Sequence, residues 1–226
     1  MTQTEKELFR GLYTLPDAAR LLRATTPATI ESKGASIKPT ARHLARWTRR
    51  DGMSKKKRVI TFFDLIRLRM IALVRSRGIS YRKIELAEKY ISEVCDTEHP
   101  FLLEDMWTAE LELFVSSKEK LIAASKYGQT AFDELLTQIL IPVPDHGLSF
   151  GADKTPESWR PKKSVLIDPE IQFGSPCIEG TRIDTKTIWS LKQDGNSEAS
   201  LAEMFDLEGD QVRCALEWET HLNSAA

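Results

Sequence analysis

The feature that most constrains this chain is a break in composition over residues 142–163, where Pro142, Pro144, Gly147, Gly151, Pro156 and Pro161 crowd together. Proline fixes φ and removes a backbone donor, and glycine raises the entropic cost of order. Such a stretch opposes a helix and predicts a linker. On either side of it the apolar residues recur at helical spacing. The chain therefore reads as a two-domain, mostly α protein with two small β elements. Expected units are 1–115, a helical extension 116–141, the linker 142–163, and a compact rear unit 164–226. No apolar run reaches the roughly eighteen residues of a membrane-spanning helix, and Met1 to Arg10 lacks the apolar stretch of a secretory leader. Cys95, Cys177 and Cys214 are odd in number and far apart. That argues against a disulfide framework or a paired-cysteine zinc site, and for a reduced, cytoplasmic protein with no membrane partner.

The net charge of −1 conceals a division. Residues 1–90 carry 21 Lys and Arg against 8 Asp and Glu, whereas residues 91–226 carry 11 against 25. Asymmetry of this kind is an argument about partners. The basic half predicts a polyanion. The acidic half predicts a different surface, unless the two halves simply pair with each other.

Within the front segment, Thr14-Leu15-Pro16-Asp17 reads as a helix start, followed by an apolar face of Leu15, Ala18, Ala19, Leu21 and Leu22. Residues 24–39, with Thr25, Thr26, Pro27, Gly34 and Pro39, read as loop. A second helix is predicted from Thr40 to Arg49, with Leu44 and Trp47 inward and Arg42, His43, Arg46, Arg49 and Arg50 outward. Asp51-Gly52 is a turn signal. The basic run Lys55, Lys56, Lys57 and Arg58 then forms a wing leading into Val59 and Ile60. Helices are predicted over Thr61–Arg77 and from Ser80 to about Val94, with strand character near Leu111–Val115. The amphipathic residues of 116–141, among them Leu121, Phe132 and Leu136, offer a homodimer contact or pack back on their own domain.

Residues 40–58 hold eight Lys and Arg plus His43, opposed only by Asp51. A helix fits the major groove and a basic wing reaches phosphates beside it. Thr40, Arg42, His43, Arg46, Arg49, Arg50, Lys55, Lys56, Lys57 and Arg58 are accordingly the candidate DNA-binding residues. A solvated basic face is the bland alternative.

The rear unit predicts a strand at Val165–Ile167, a small hairpin around Glu179-Gly180, and three helices, Thr185–Gln193, Ser197–Phe205 and Glu208 to about Leu222. It carries 4 cations and 12 anions, and its third helix holds Glu208, Asp210, Glu217 and Glu219 against Arg213. That helix would repel phosphates. His43, His99, His146 and His221 are scattered, and neither a Gly-rich phosphate loop nor a nucleophile elbow is present. Asp168, Asp184, Asp194 and Asp206 could be read as a nuclease cluster, but turn and capping roles account for each locally. No enzyme, metal or cofactor is expected.

Two strings carry family resemblance. Leu12-Tyr13-Thr14-Leu15-Pro16-Asp17-Ala18-Ala19, Leu44-Ala45-Arg46-Trp47 and Ile60-Thr61-Phe62-Phe63-Asp64-Leu65, with Arg75-Ser76-Arg77-Gly78-Ile79-Ser80, resemble the winged helix–turn–helix of MerR-type regulators. Ile167-Asp168-Pro169, Gly174-Ser175-Pro176-Cys177-Ile178-Glu179-Gly180-Thr181-Arg182-Ile183 and Asp194-Gly195 resemble a small homeodomain-like bacterial family of unassigned function, many of whose members are antitoxins. The combination is similar to VapB-type antitoxins. That resemblance implies a PIN-type ribonuclease toxin as partner, neutralised by direct binding, and autorepression through operator DNA. It marks Gly180, Thr181 and Arg182 as a signature, either partner-binding or structural to the hairpin. A stand-alone MerR-like regulator with a C-terminal sensor domain is the alternative.

Overall fold

In the computed structural model, residues 11–27, 29–30, 36–48, 59–107 and 147–224 are described. Helix α1 (Leu15–Thr25) starts where capping chemistry puts it: the Thr14 hydroxyl accepts from the Asp17 amide at 3.3 Å and Pro16 lies in the first turn. Ala18, Ala19, Leu21 and Leu22 form its buried face. The stretch read as loop contains a short antiparallel pair instead, β1 (Thr29–Ile30) and β2 (Ser36–Ile37), with Thr29 opposite Ile37. Thr29, Ile30 and Ile37 are β-branched and suit a pleated surface, a signal outweighed in the sequence by the neighbouring prolines and glycine.

Helix α2 (Ala41–Trp47) is capped by Thr40. The expected wing, Lys55 to Arg58, and the preceding Arg49 and Arg50 lie outside the described residues. The chain returns at Val59, and Ile60 exchanges both backbone hydrogen bonds with Tyr13, at 2.8 and 2.9 Å. Helix α3 (Phe62–Ser76) opens on a capping box in which Thr61 and Asp64 satisfy each other's backbone N–H. Gly78, at φ +92°, ends that run, and Ser80 caps α4 (Tyr81–Cys95). Two 3-10 turns, Pro100–Leu102 and Glu104–Met106, bring Phe101, Met106 and Trp107 into the core. The predicted strand near 111–115 and the segment 116–141 lie outside the described residues.

The predicted linker is not one over its described part. β3 (Leu148–Phe150), β4 (Pro156–Lys162), β5 (Val165–Ile167) and β6 (Pro176–Ile178) form a four-stranded antiparallel meander. The prolines are accommodated because Pro156 is the first residue of its strand and Pro161 sits where the register shifts between Trp159 and Lys162. Those are the places where a missing ladder donor costs little. Trp159, opposite Ile167, is fully buried.

The predicted hairpin is also smaller than expected. The principal partner of β6 is β5, and beyond it lies a tight turn rather than a second full strand. Helices α5 (Thr185–Gln193), α6 (Glu198–Phe205) and α7 (Gly209–Ser224) follow, close to their predicted bounds. The whole is a mainly α fold with a small antiparallel sheet.

One apolar cluster runs from Tyr13, Leu22, Leu44 and Phe62 through Trp107 to Trp159, Ile167, Trp218 and Leu222. A smaller one, including Ile188, Leu201, Val212 and Ala215, lies among the last three helices. Front helices and rear sheet thus share a core. Tyr13 Oη donates to Gly174 O at 2.8 Å, Leu12 N donates to Phe173 O at 3.1 Å, and His221 Nε2 meets the Ala24 carbonyl at 2.7 Å.

Candidate nucleic-acid interface

Helix α2 is anchored by two buried side chains, Leu44 and Trp47, and exposes Arg42 and Arg46. Leu44 is fully buried, and Trp47, three residues on, lies against Tyr81 with ring centres 6.1 Å apart. That leaves Arg42 and Arg46, one turn apart, fully on the exposed side. His43 is half-buried and stacks on Trp47 at 5.8 Å. The Thr40 hydroxyl accepts from the His43 amide at 3.3 Å, so Thr40 starts the helix and sets the direction in which the arginines project.

A half-buried ion pair holds this helix to its neighbours. Arg67 on α3 grips Glu88 on α4 with two hydrogen bonds, Nη2 to Oε2 at 2.6 Å, and its Nη1 donates to the Trp47 carbonyl at 2.9 Å. That carbonyl is one of those a helix C-terminus leaves unsatisfied, and Arg67 closes it with a charge-assisted bond. Burial alone would lower the Arg67 pKa, but the bonded Glu88 outweighs it and holds the guanidinium above its ordinary value. The Tyr81 hydroxyl is pushed up to about 12, by burial and then by Glu85 and Glu88, and it stays a neutral donor.

Between α2, the C-terminal half of α3 and the start of α4 lies a hollow of about 360 Å³ that sequence reasoning did not identify. Lys38, Arg75 and Arg82 join His43 and Arg46 around it, with Ser80 and Tyr81 at the N-terminus of α4. The Arg46 guanidinium lies 5.7 Å from the Tyr81 ring centre, which fixes its position without neutralising it. Among the described residues, none of those lining the hollow is a carboxylate. An anion placed there meets several cations together with the positive end of a fifteen-residue helix. The available sequence signal was Arg82, two residues past the Ser80 cap, and it stood outside the basic run that drew attention.

The structure brings Thr40, Arg42, His43 and Arg46 onto one helix. Gly180, Thr181 and Arg182 stand elsewhere, on the turn between β6 and α5. Gly180 is at φ +80° with open space around it. The Thr181 hydroxyl donates to Ile178 O at 2.8 Å and accepts from Ile183 N at 3.1 Å, so these two residues build the turn. Only the Arg182 side chain is presented to solvent, while its carbonyl accepts from Gln172 Nε2 at 3.1 Å. Beside it Phe173 is 72% exposed at φ +55°, an aromatic residue that the sequence reading passed over. Among the described residues no three His, Cys, Asp or Glu side chains converge as a metal site, and no helix is long and apolar enough to cross a membrane.

Comparison with known proteins adds the following. No curated protein matches the chain. Its fold is similar to the crystal structure of Rv2018 from Mycobacterium tuberculosis, at 19% identity and a TM-score of 0.64, over 91% of this chain and 97% of that one. Residues 165–218, from the first residue of β5 into α7, match the family described as protein of unknown function (DUF433).

Proposed function

We propose that this chain is a DNA-binding antitoxin: its front segment grips operator DNA through the exposed face of α2 and the basic hollow beside it, and its acidic rear segment engages a PIN-type ribonuclease toxin. The observation that carries the reading is the placement of Arg42 and Arg46 outward on a helix clamped from behind by Arg67, with Lys38, Arg75 and Arg82 extending the same positive surface. A short helix set into the major groove while flanking cations hold phosphates is the usual division of labour in such proteins. As a MerR-like regulator the chain would act as a homodimer on paired half-sites.

The toxin half rests on the resemblance of the rear segment and on charge. A protein that handles RNA carries cations near its substrate, and residues 164–226 offer 12 anions against 4 cations. Arg182, exposed at the turn, is the signature residue free to reach a partner's carboxylate.

The test separates the two activities. Fluorescence anisotropy with DNA from upstream of the chain's own reading frame should show Arg42→Ala/Arg46→Ala binding at least tenfold more weakly. Each lost phosphate contact should flatten the logarithmic salt dependence by about 0.9. The same variant, co-expressed with the product of the adjacent gene, should still rescue growth. Unchanged DNA affinity, or equal loss of both activities, overturns the assignment.

A further inference from the structure

Between β5 and β6 the backbone turns with the wrong hand. Gln172, Phe173 and Gly174 follow one another at φ +47°, +55° and +84°. Only the glycine adopts that region freely; the other two are held there against repulsion between Cβ and the carbonyl oxygen. Gly174 N donates to Ile171 O and Ser175 N to Gln172 O, each at 3.0 Å. Gln172 Nε2 donates to Arg182 O at 3.1 Å, Leu12 N to Phe173 O at 3.1 Å, and Tyr13 Oη to Gly174 O at 2.8 Å. Backbone strain over-determined in this way concentrates at binding and switch sites.

The turn lifts an aromatic ring into solvent. Phe173 is 72% exposed, and Leu12, bonded to it through the backbone, is 46% exposed. Tyr13 occupies the inner side, against Gly174. Arg182 stands beside the ring and is exposed, and among the described residues no carboxylate pairs with its guanidinium. An apolar knob with an unanswered arginine at its edge has the composition of an interface hot spot.

Shape and charge define what it fits. A projecting ring needs a concave apolar seat, and Arg182 calls for a carboxylate at the rim. The 12 anions against 4 cations of residues 164–226 oppose DNA as the occupant. A second copy offers cations, not carboxylates, in the hollow beside α2. We propose that Phe173, flanked by Leu12 and Arg182, anchors the chain on its protein partner by entering an apolar pocket edged by a carboxylate. The inference rests on the toxin reading above and adds the residues that make the contact.

The probe is the purified product of the adjacent gene, titrated by calorimetry with the full chain. Asn accepts a left-handed backbone better than Phe does. Phe173→Asn should therefore melt at or above the wild type, yet bind the probe at least tenfold more weakly. Arg182→Gln should weaken binding and flatten its dependence on salt. Met204→Ser, which removes a 56% exposed apolar side chain from α6, should leave binding unchanged. Phe173→Asn should keep the wild-type affinity for DNA and, by light scattering, the wild-type mass. Wild-type binding of the probe by Phe173→Asn or Arg182→Gln, a lowered melting temperature for Phe173→Asn, or equal weakening by Met204→Ser overturns the proposal and leaves the toxin reading standing. Lost DNA affinity or a smaller particle in Phe173→Asn also overturns it, and assigns the knob to DNA or to a second copy. A wild-type chain that fails to bind the probe overturns the toxin reading and this inference together.

Discussion

Gly174 and Gly180 both have a left-handed backbone, at φ +84° and +80°, and differ in what surrounds them. A Cβ at Gly180 would meet nothing within 4 Å. At Gly174 it would lie 2.2 Å from Tyr13 Oη, 2.9 Å from Tyr13 Cζ and 3.2 Å from the Gly11 Cα. Gly180→Ala should therefore cost only the conformational penalty of an L-residue in that region, about 1 kcal/mol. Gly174→Ala incurs the same penalty and in addition drives the Tyr13 ring from its place. That loses the hydroxyl's hydrogen bond to Gly174 O, about 1 kcal/mol, and adds overpacking of about 1–3 kcal/mol around a buried ring. The destabilisation expected is about 3 kcal/mol or more. Urea unfolding of both variants and of the wild type would measure it, provided the slope with denaturant is unchanged. Tyr13→Phe adds a check: Gly174→Ala should cost less in that background, because the nearest obstructing atom is gone. Equal destabilisation by the two glycine substitutions would refute the reasoning, and with it the docking of the first described residues onto the rear segment.

Three further outcomes follow from the geometry. Arg67→Met should destabilise by about 3 kcal/mol, because Glu88 would be left alone with its side chain only 16% exposed; replacing both partners by Met should recover much of that, and an additive double variant would contradict it. Burial holds the Glu219 carboxyl above its ordinary value while Thr185 Oγ1 donates to it at 2.6 Å. A pKa raised by folding means the folded state gains from protonation, a gain lost as pH rises through the raised value. Glu219→Gln should thus melt above the wild type at pH 7.5 and near it at pH 4, and a lower melting temperature at pH 7.5 would contradict this. Burial, followed by Asp184 and Asp168, pushes the Cys177 thiol up to about 11; peptide mass mapping should find it unalkylated by iodoacetamide at pH 8 until the chain is unfolded.

Local chemistry made much of the fold legible. Thr14 and Ser80 cap their helices as expected, Thr40 and Thr61, expected as first helical residues, are the caps one position earlier, and α5 to α7 follow their apolar spacing. What escaped was set by non-local contact. Trp159 sits among prolines and charges, and only pairing with β5 and stacking under Arg69 make it a core residue. Arg69 itself reads as one more surface cation, yet burial pulls it down to about 9, still charged at neutral pH. At the candidate interface, the helix bearing Arg42 and Arg46 was readable from periodicity, because Leu44 and Trp47 set its inward face. Lys38, Arg75 and Arg82 were not, since they reach the same hollow from three separate stretches of chain.

The family match starts at the first residue of β5, but the sheet starts at Leu148. What recurs among proteins and what closes physically are therefore different lengths of polypeptide. A fragment cut at residue 164 would strip β4 away and leave the β5 backbone, flanked by Val165 and Ile167, as an open template for other copies to add to. Beginning at Gly147 instead moves the free margin to three-residue β3, too short to seed such growth. Anyone trimming this protein for crystals or display should cut by the hydrogen-bond ladder rather than by the alignment.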